Sequence, residues 1–129
     1  MNDRRSRGEI KLGERGERFA QKMLRKDGYR ILDLNVRKTG GEIDIVAVDH
    51  GTICFVEVKT RSSDAVGTPE EAVDRRKIMR IVKAAKAYSA EKKLDTFPVR
   101  YDIVTVRVGE GRDVEGRIIK GAFGEDGWG

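Results

Sequence analysis

The chain has 129 residues, and Leu, Ile, Val and Phe make up 32 of them, enough for one folded domain and too many for a disordered chain. A single cysteine, Cys54, and a single histidine, His50, exclude a disulfide framework and any Cys- or His-rich metal site, and fit a reducing, cytoplasmic setting. No apolar run reaches the roughly 18 residues of a membrane span, so no membrane is expected as a partner, whereas 27 basic against 22 acidic side chains leave a net +5 that suits a polyanion.

Residues 1–12 are polar and basic, with Arg4, Arg5 and Arg7, and read as a flexible arm. Residues 13–27 carry Phe19, Ala20, Met23 and Leu24 at helical spacing and end at Gly28, which predicts a first amphipathic helix. A strand is expected over 29–36, a break at Thr39, Gly40 and Gly41, and two Val- and Ile-rich strands over 42–48 and 52–60. The short Asp49, His50, Gly51 connection makes these two an antiparallel hairpin, with His50 a turn residue. Thr68, Pro69, Glu70 and Glu71 form a capping-box pattern that starts a helix. Asp74 offers a second start, followed by Ile78, Ile81, Val82, Ala85 and Tyr88 at intervals of three and four. After Pro98 come strands over 99–108 and 114–120, then a Gly-rich tail over 121–129 in which Trp128 is expected to cover a sheet edge. The prediction is a single α/β domain over 13–120 in the order α-β-β-β-α-β-β, a central mixed sheet flanked by helices.

The charge is unevenly spread. Residues 1–30 hold ten basic and five acidic side chains, 31–74 four and nine, 75–93 eight and one, and 94–129 five and seven. An acidic middle thus lies between two basic stretches, the pattern of a cation site flanked by a polyanion footprint. Within that middle, Asp44 and the run Phe55-Val56-Glu57-Val58-Lys59 put two acids and a lysine inside the most apolar strands. Alternation sends Glu57 and Lys59 to one face and Cys54, Val56 and Val58 to the other, where Cys54 is expected to pack. The hairpin folds Asp44 back beside them. Two carboxylates so close resist ionising together unless a divalent cation neutralises them, and Mg²⁺ or Mn²⁺ matches oxygen ligands, water and a phosphate. Lys59 would then position a water or steady charge on a phosphodiester. Asp102, between Tyr101 and Ile103, is a further candidate partner for a base.

Asp44 with Glu57-Val58-Lys59 resembles the PD-(D/E)XK nuclease pattern of restriction enzymes and Holliday junction resolvases. Gly16-Glu17, Gly41-Glu42-Ile43-Asp44, Phe55 to Arg61, Val73 to Lys77 and Arg100-Tyr101-Asp102 are similar to the blocks of the YraN family of small bacterial endonuclease-like proteins. Ile43 stands where the wider superfamily has its proline. The resemblance implies a restriction-endonuclease-like fold. It implies a metal-dependent nuclease, acting on DNA ahead of RNA, with branched or repair intermediates among its substrates, and it allows a homodimer. Asp44, Glu57 and the Val58 carbonyl would hold the metal, Lys59 would serve the attacking water, and Glu17 would add an acid from the first helix. Glu17, Ala20 and Leu24 stand at i, i+3 and i+7, which puts Glu17 at the rim of the buried stripe, with Glu14 a rival one turn earlier. Glu42 shares a face with Asp44 and is a supporting residue. Arg61, Arg76, Lys77, Arg80 and Lys83 are the candidate phosphate contacts. The alternative reading is a nucleic-acid-binding module that keeps the nuclease fold without cutting.

Overall fold

Among the described residues, two helices cover opposite faces of a six-stranded mixed sheet whose spatial order follows the chain order. The computed structural model describes residues 4–62, 73–111, 113–125 and 127–128. Helix α1 spans Arg4–Lys26 and is followed by strands β1 (Arg30–Lys38), β2 (Gly41–Asp49) and β3 (Thr52–Ser62), helix α2 (Arg75–Glu91), and strands β4 (Val99–Val108), β5 (Val114–Gly124) and β6 (Gly127–Trp128). The expected α/β class and the order of the first seven elements are those of the structure.

Two boundaries differ from the sequence reading, and a third lies outside the described residues. α1 begins at Arg4, so residues 4–12 are helical rather than an arm; the Arg, Glu and Lys residues there are good helix formers, outweighing Gly8. The Gly-rich stretch after Lys120 is also structured, as the end of β5 and a return strand: Phe123 pairs with Trp128 and Gly124 with Gly127. Gly127 takes φ +104, a conformation closed to most side chains, and thereby permits the reversal. The capping-box residues 68–71 lie outside the described residues. Asp74 is the N-cap of α2, its Oδ1 accepting the Lys77 N–H at 2.9 Å.

β3 and β4 pair in parallel, as a crossover through α2 requires, and all other neighbours are antiparallel. β3 is therefore central and covered on both sides. Its odd residues Ile53 and Phe55 join the α2-side core with Ile78, Ile81, Tyr88 and Tyr101. Its even residues Cys54 and Val56 join the α1-side core with Ala20, Leu24, Val104 and Val106. Cys54 packs on the expected side, and burial pushes its thiol up to about 12. α1 lies unusually close to β3: a Cβ on Gly16 would fall 1.9 Å from Thr60 Oγ1, so only glycine fits there. That contact sets the position of Glu17, the next residue.

Candidate functional site

β2 and β3 pair from Asp49 opposite Thr52 as far as Ile45 opposite Val56, where the described ladder stops. Beyond it a side chain takes over the main-chain role, and Asp44 Oδ2 accepts the Val58 N–H at 2.8 Å. The alternation of β2 also slips here. Ile43 and Val46 belong to the α2-side core, while Ile45 and Ala47 belong to the α1-side core. Asp44 consequently stands at a seam between the two faces, with access to groups from both.

Glu57 follows the buried run Ile53–Val56 and is itself only 3% exposed. Its Oε2 is 3.5 Å from Lys77 Nζ of α2, and its Oε1 is buried with no hydrogen-bond partner among the described residues. Burial, and then the nearby Asp44 carboxylate, push its pKa up to about 8 against the opposing pull of Lys77 and Lys59. Glu17 is raised as well, first by burial and next by Asp44, while a hydrogen bond from the Asn35 side chain works the other way. Asn35 reaches this position from a left-handed backbone, φ +50, in the middle of β1. Glu17, Asp44, Val58, Lys59 and Thr60 line one cleft together with Leu12 and Gly13. Three carboxylates from α1, β2 and β3, and one ammonium, thus interact around a place where two strands part.

Other candidates fall elsewhere. Glu14 is exposed, and its charge acts on Glu17 from outside the cleft, which favours Glu17 in that rivalry. Glu42 was expected to share the face of Asp44. It lines a second cleft, with Arg37, Lys38, Gly41, Lys77 and Arg80, and its charge still reaches the first one, where it helps to raise the Glu17 pKa. β3 keeps its register with β4 through both residues, so alternation leaves Glu57 and Lys59 on one face as expected; Glu57 lies 3.5 Å from Lys77 Nζ and feels the Lys59 charge, and Lys59 also lines the cleft of Asp44 and Glu17. Arg76 and Lys83 are exposed on α2, and Arg61 lies on β3 opposite Arg107 of β4. Arg37, Lys38 and Asn35 were not anticipated; their only sequence signal was position, flanking the Gly40-Gly41 turn.

Asp102 serves the fold rather than the cleft. It is fully buried and accepts hydrogen bonds from Tyr29 Oη (2.7 Å), Arg100 Nε (2.8 Å) and the Gly121 N–H (2.9 Å). Arg100 Nη2 also reaches Asp49 Oδ2 at 2.7 Å, and Lys120 Nζ reaches the same oxygen at 3.2 Å. This set ties the ends of α1, β2, β4 and β5 together, and every buried oxygen in it has a partner. His50 occupies the β2–β3 turn at φ +50, with Nδ1 2.8 Å from Asp49 Oδ1.

The donors at the strand seam suit a hard divalent cation. Mg²⁺ is commonly held by one or two carboxylates, with water and phosphate oxygens completing its shell, and Asp44 and Glu57 are the pair that could hold it. The unpartnered Glu57 Oε1 and the repulsion that raises its pKa are what a cation would relieve. Among the described residues no three His, Cys, Asp or Glu side chains form a metal-binding group, so two carboxylates are what the side chains supply. No described helix is long and apolar enough to cross a membrane.

The model of the family described as "Uncharacterised protein family UPF0102" matches residues 16–106. Among similar proteins, a UPF0102 protein of Syntrophotalea carbinolica is 44% identical over 119 residues, covering 92% of this chain and 96% of that protein. One from Syntrophus aciditrophicus is 46% identical over 115 residues (88% and 89%), and one from Moorella thermoacetica 45% over 121 residues (93% and 97%).

Proposed function

The chain belongs to the UPF0102 family, the YraN family, and from that premise and the geometry around Asp44 we propose that it is a divalent-metal-dependent nuclease that hydrolyses phosphodiester bonds in DNA. One observation carries the reading: a nearly inaccessible carboxylate, Glu57, with an unsatisfied oxygen and a raised pKa, beside a second carboxylate at the point where β2 and β3 part. A buried acid kept in that condition is destabilising to the fold and is characteristic of a site with work to do.

When bound, Mg²⁺ or Mn²⁺ would supply charge neutralisation for the phosphate and acidify a water. The remaining roles belong to the chain. Asp44 is locked by the Val58 N–H, so its second oxygen keeps a fixed direction, and Glu57 and the Val58 carbonyl complete the set of protein oxygens. Lys59, on the cleft wall with Asp44, holds the attacking water by its ammonium and balances negative charge that develops on the phosphorus oxygens. Glu17, half-buried and raised in pKa, is suited to hold a proton within reach of the leaving oxygen. Branched and repair-type DNA are the first substrates to offer.

The test is cleavage of a panel of single-stranded, duplex, flapped and four-way DNAs with Mg²⁺ or Mn²⁺. Product formed by the wild type and lost in Asp44→Asn supports the proposal; absence of product on every substrate, or product that survives Asp44→Asn, overturns it. The second reading, a binding module without cleavage, draws on the Lys77 ammonium, which already sits 3.5 Å from Glu57 and offsets part of its charge without a metal. DNA binding unchanged by Asp44→Asn, with no cleavage, would select it.

A further inference from the structure

The second cleft is built with as much care as the first. It opens between the β1–β2 turn and α2, lined by Arg37, Lys38, Gly41, Glu42, Lys77 and Arg80. Its walls are pressed together by two glycines. A Cβ on Gly41 would lie 2.3 Å from the Arg80 carbonyl oxygen, and one on Gly40, whose φ is +95, would lie 2.6 Å from Lys83 Cδ. The turn can therefore touch the main chain of α2, which brings the two cations at the end of β1 opposite two from the first turns of the helix.

Four cations and one carboxylate face one trough, a net charge of +3. The carboxylate, Glu42, is only loosely engaged, at 3.8 Å from Arg37 Nε with both side chains exposed. Lys38 is anchored by an ion pair with Glu91, while Arg80 has no ion-pair partner among the described residues. Arg37, Lys38 and Lys77 each have one carboxylate nearby, whereas Arg80 has none among the described residues, so a guanidinium is left in an open basic trough whose walls two close-packed glycines hold in place, an arrangement that favours an anion. The trough is open and carries no aromatic wall, which suits an extended polyanion better than a small ligand. Lys77 belongs to both places: it lines the trough and its Nζ reaches Glu57.

We propose that this cleft binds a backbone phosphate of the nucleic-acid strand adjacent to the phosphate at Asp44 and Glu57, with Arg37 and Arg80 as its contacts and Lys77 as the link between the two positions. The assignment of the adjacent phosphate rests on the nuclease reading; the cleft itself recognises a phosphodiester backbone through charge and fork-shaped guanidinium donors.

The experiment is anisotropy titration of a fluorescein-labelled duplex DNA, in EDTA so that nothing is cut, over a range of NaCl concentrations. Arg37→Ala/Arg80→Ala is compared with the wild type and with Lys22→Ala/Arg25→Ala, which removes the same charge from exposed positions on α1, across the sheet. A lost phosphate contact lowers the log K against log[salt] slope by about 0.9, so the cleft variant, which gives up its one phosphate, loses about 0.9 in slope and binds roughly tenfold more weakly at low salt. The α1 variant stays within about twofold. Arg37→Lys/Arg80→Lys keeps most of the slope. Equal losses in the cleft and α1 variants, or no loss in the cleft variant, overturn the proposal. A cleft variant that loses its slope while the wild type cuts no DNA leaves the cleft standing and removes the nuclease reading. A wild type that cuts, with a cleft variant that binds and cuts normally, does the reverse.

Discussion

Replacing Glu57 by glutamine should make the protein more stable while removing its metal response. Glu57 is 3% exposed and its carboxyl is raised to about 8, chiefly by burial and then by Asp44. A carboxyl whose pKa is higher in the fold than in the open chain binds its proton more tightly when folded. Its contribution is therefore fully favourable below the ordinary value near 4.5 and is lost as the pH climbs toward 8. A decade of proton affinity corresponds to about 1.4 kcal/mol, so at pH 7 the penalty is on the order of 3 kcal/mol. Glu57→Gln has the same shape and no charge, and its amide can donate toward Asp44. For a chain of this length the gain amounts to roughly 10 °C in Tm. Thermal unfolding in EDTA at pH 5, 7 and 8.5 should show the variant close to wild type in acid and pulling ahead as the pH rises. With Mn²⁺ at a hundred times its Kd the wild type should recover about 2.7 kcal/mol and the variant very little, because the ligand binds only the native site. A stability difference that does not depend on pH, or a variant as responsive to Mn²⁺ as the wild type, would refute the reasoning about Glu57.

Other outcomes follow from single contacts. Lys59→Ala should lower the cleavage rate by roughly 10²–10³-fold, with DNA affinity in EDTA changed by no more than about twofold, as read by single-turnover kinetics beside anisotropy. Arg100→Leu strands Asp49 and Asp102 in a buried setting and should cost about 3–5 kcal/mol in urea unfolding. Because Arg100 holds the Asp49 carboxyl well below the usual range, that contribution is present above about pH 4 and fades in stronger acid, so the deficit of the variant should shrink as the pH falls. Gly16→Ala forces a methyl against Thr60 Oγ1, at 1.9 Å before any shift, and should destabilise by about 1–3 kcal/mol. Gly16→Ala/Thr60→Ala should recover part of the loss, and failure to do so would dissociate the glycine from the helix contact.

Much of this was legible in the chain because it is local. Alternation marked β2, β3 and β4, the three-and-four spacing marked both helices, and Asp74 stood out as a cap. Acids inside apolar strands drew attention to Asp44 and Glu57 for a simple reason: burying a charge is costly, so a sequence that does it is under another demand. The one-face arrangement of Glu57 and Lys59 follows from the unbroken register of β3 on β4, whereas the face of Asp44 was not legible because the alternation of β2 slips beside it. The β2–β3 ladder stops one residue short of Asp44, and Val58 turns its N–H to a side chain instead of to a strand. The Gly-rich end looked loose for a related reason. β6 has two residues and gains its pairing only from β5, so no run of its own announces it.

The sequence alone determined the order of the first seven elements and the α/β class, and it singled out the central acids and lysine as candidates, since each depends on residues within a few positions of one another. Tertiary structure decided which distant groups share a space. Glu17 comes to Asp44 only because Gly16 lets α1 rest on Thr60, and Lys77 comes to Glu57 only because the crossover lays α2 on the other face of β3. Arg37 faces Arg80 because two glycines seat a turn against a helix backbone. Such meetings depend on sheet order, on the side a helix takes and on contact distances between segments far apart in the chain, none of which a local pattern encodes.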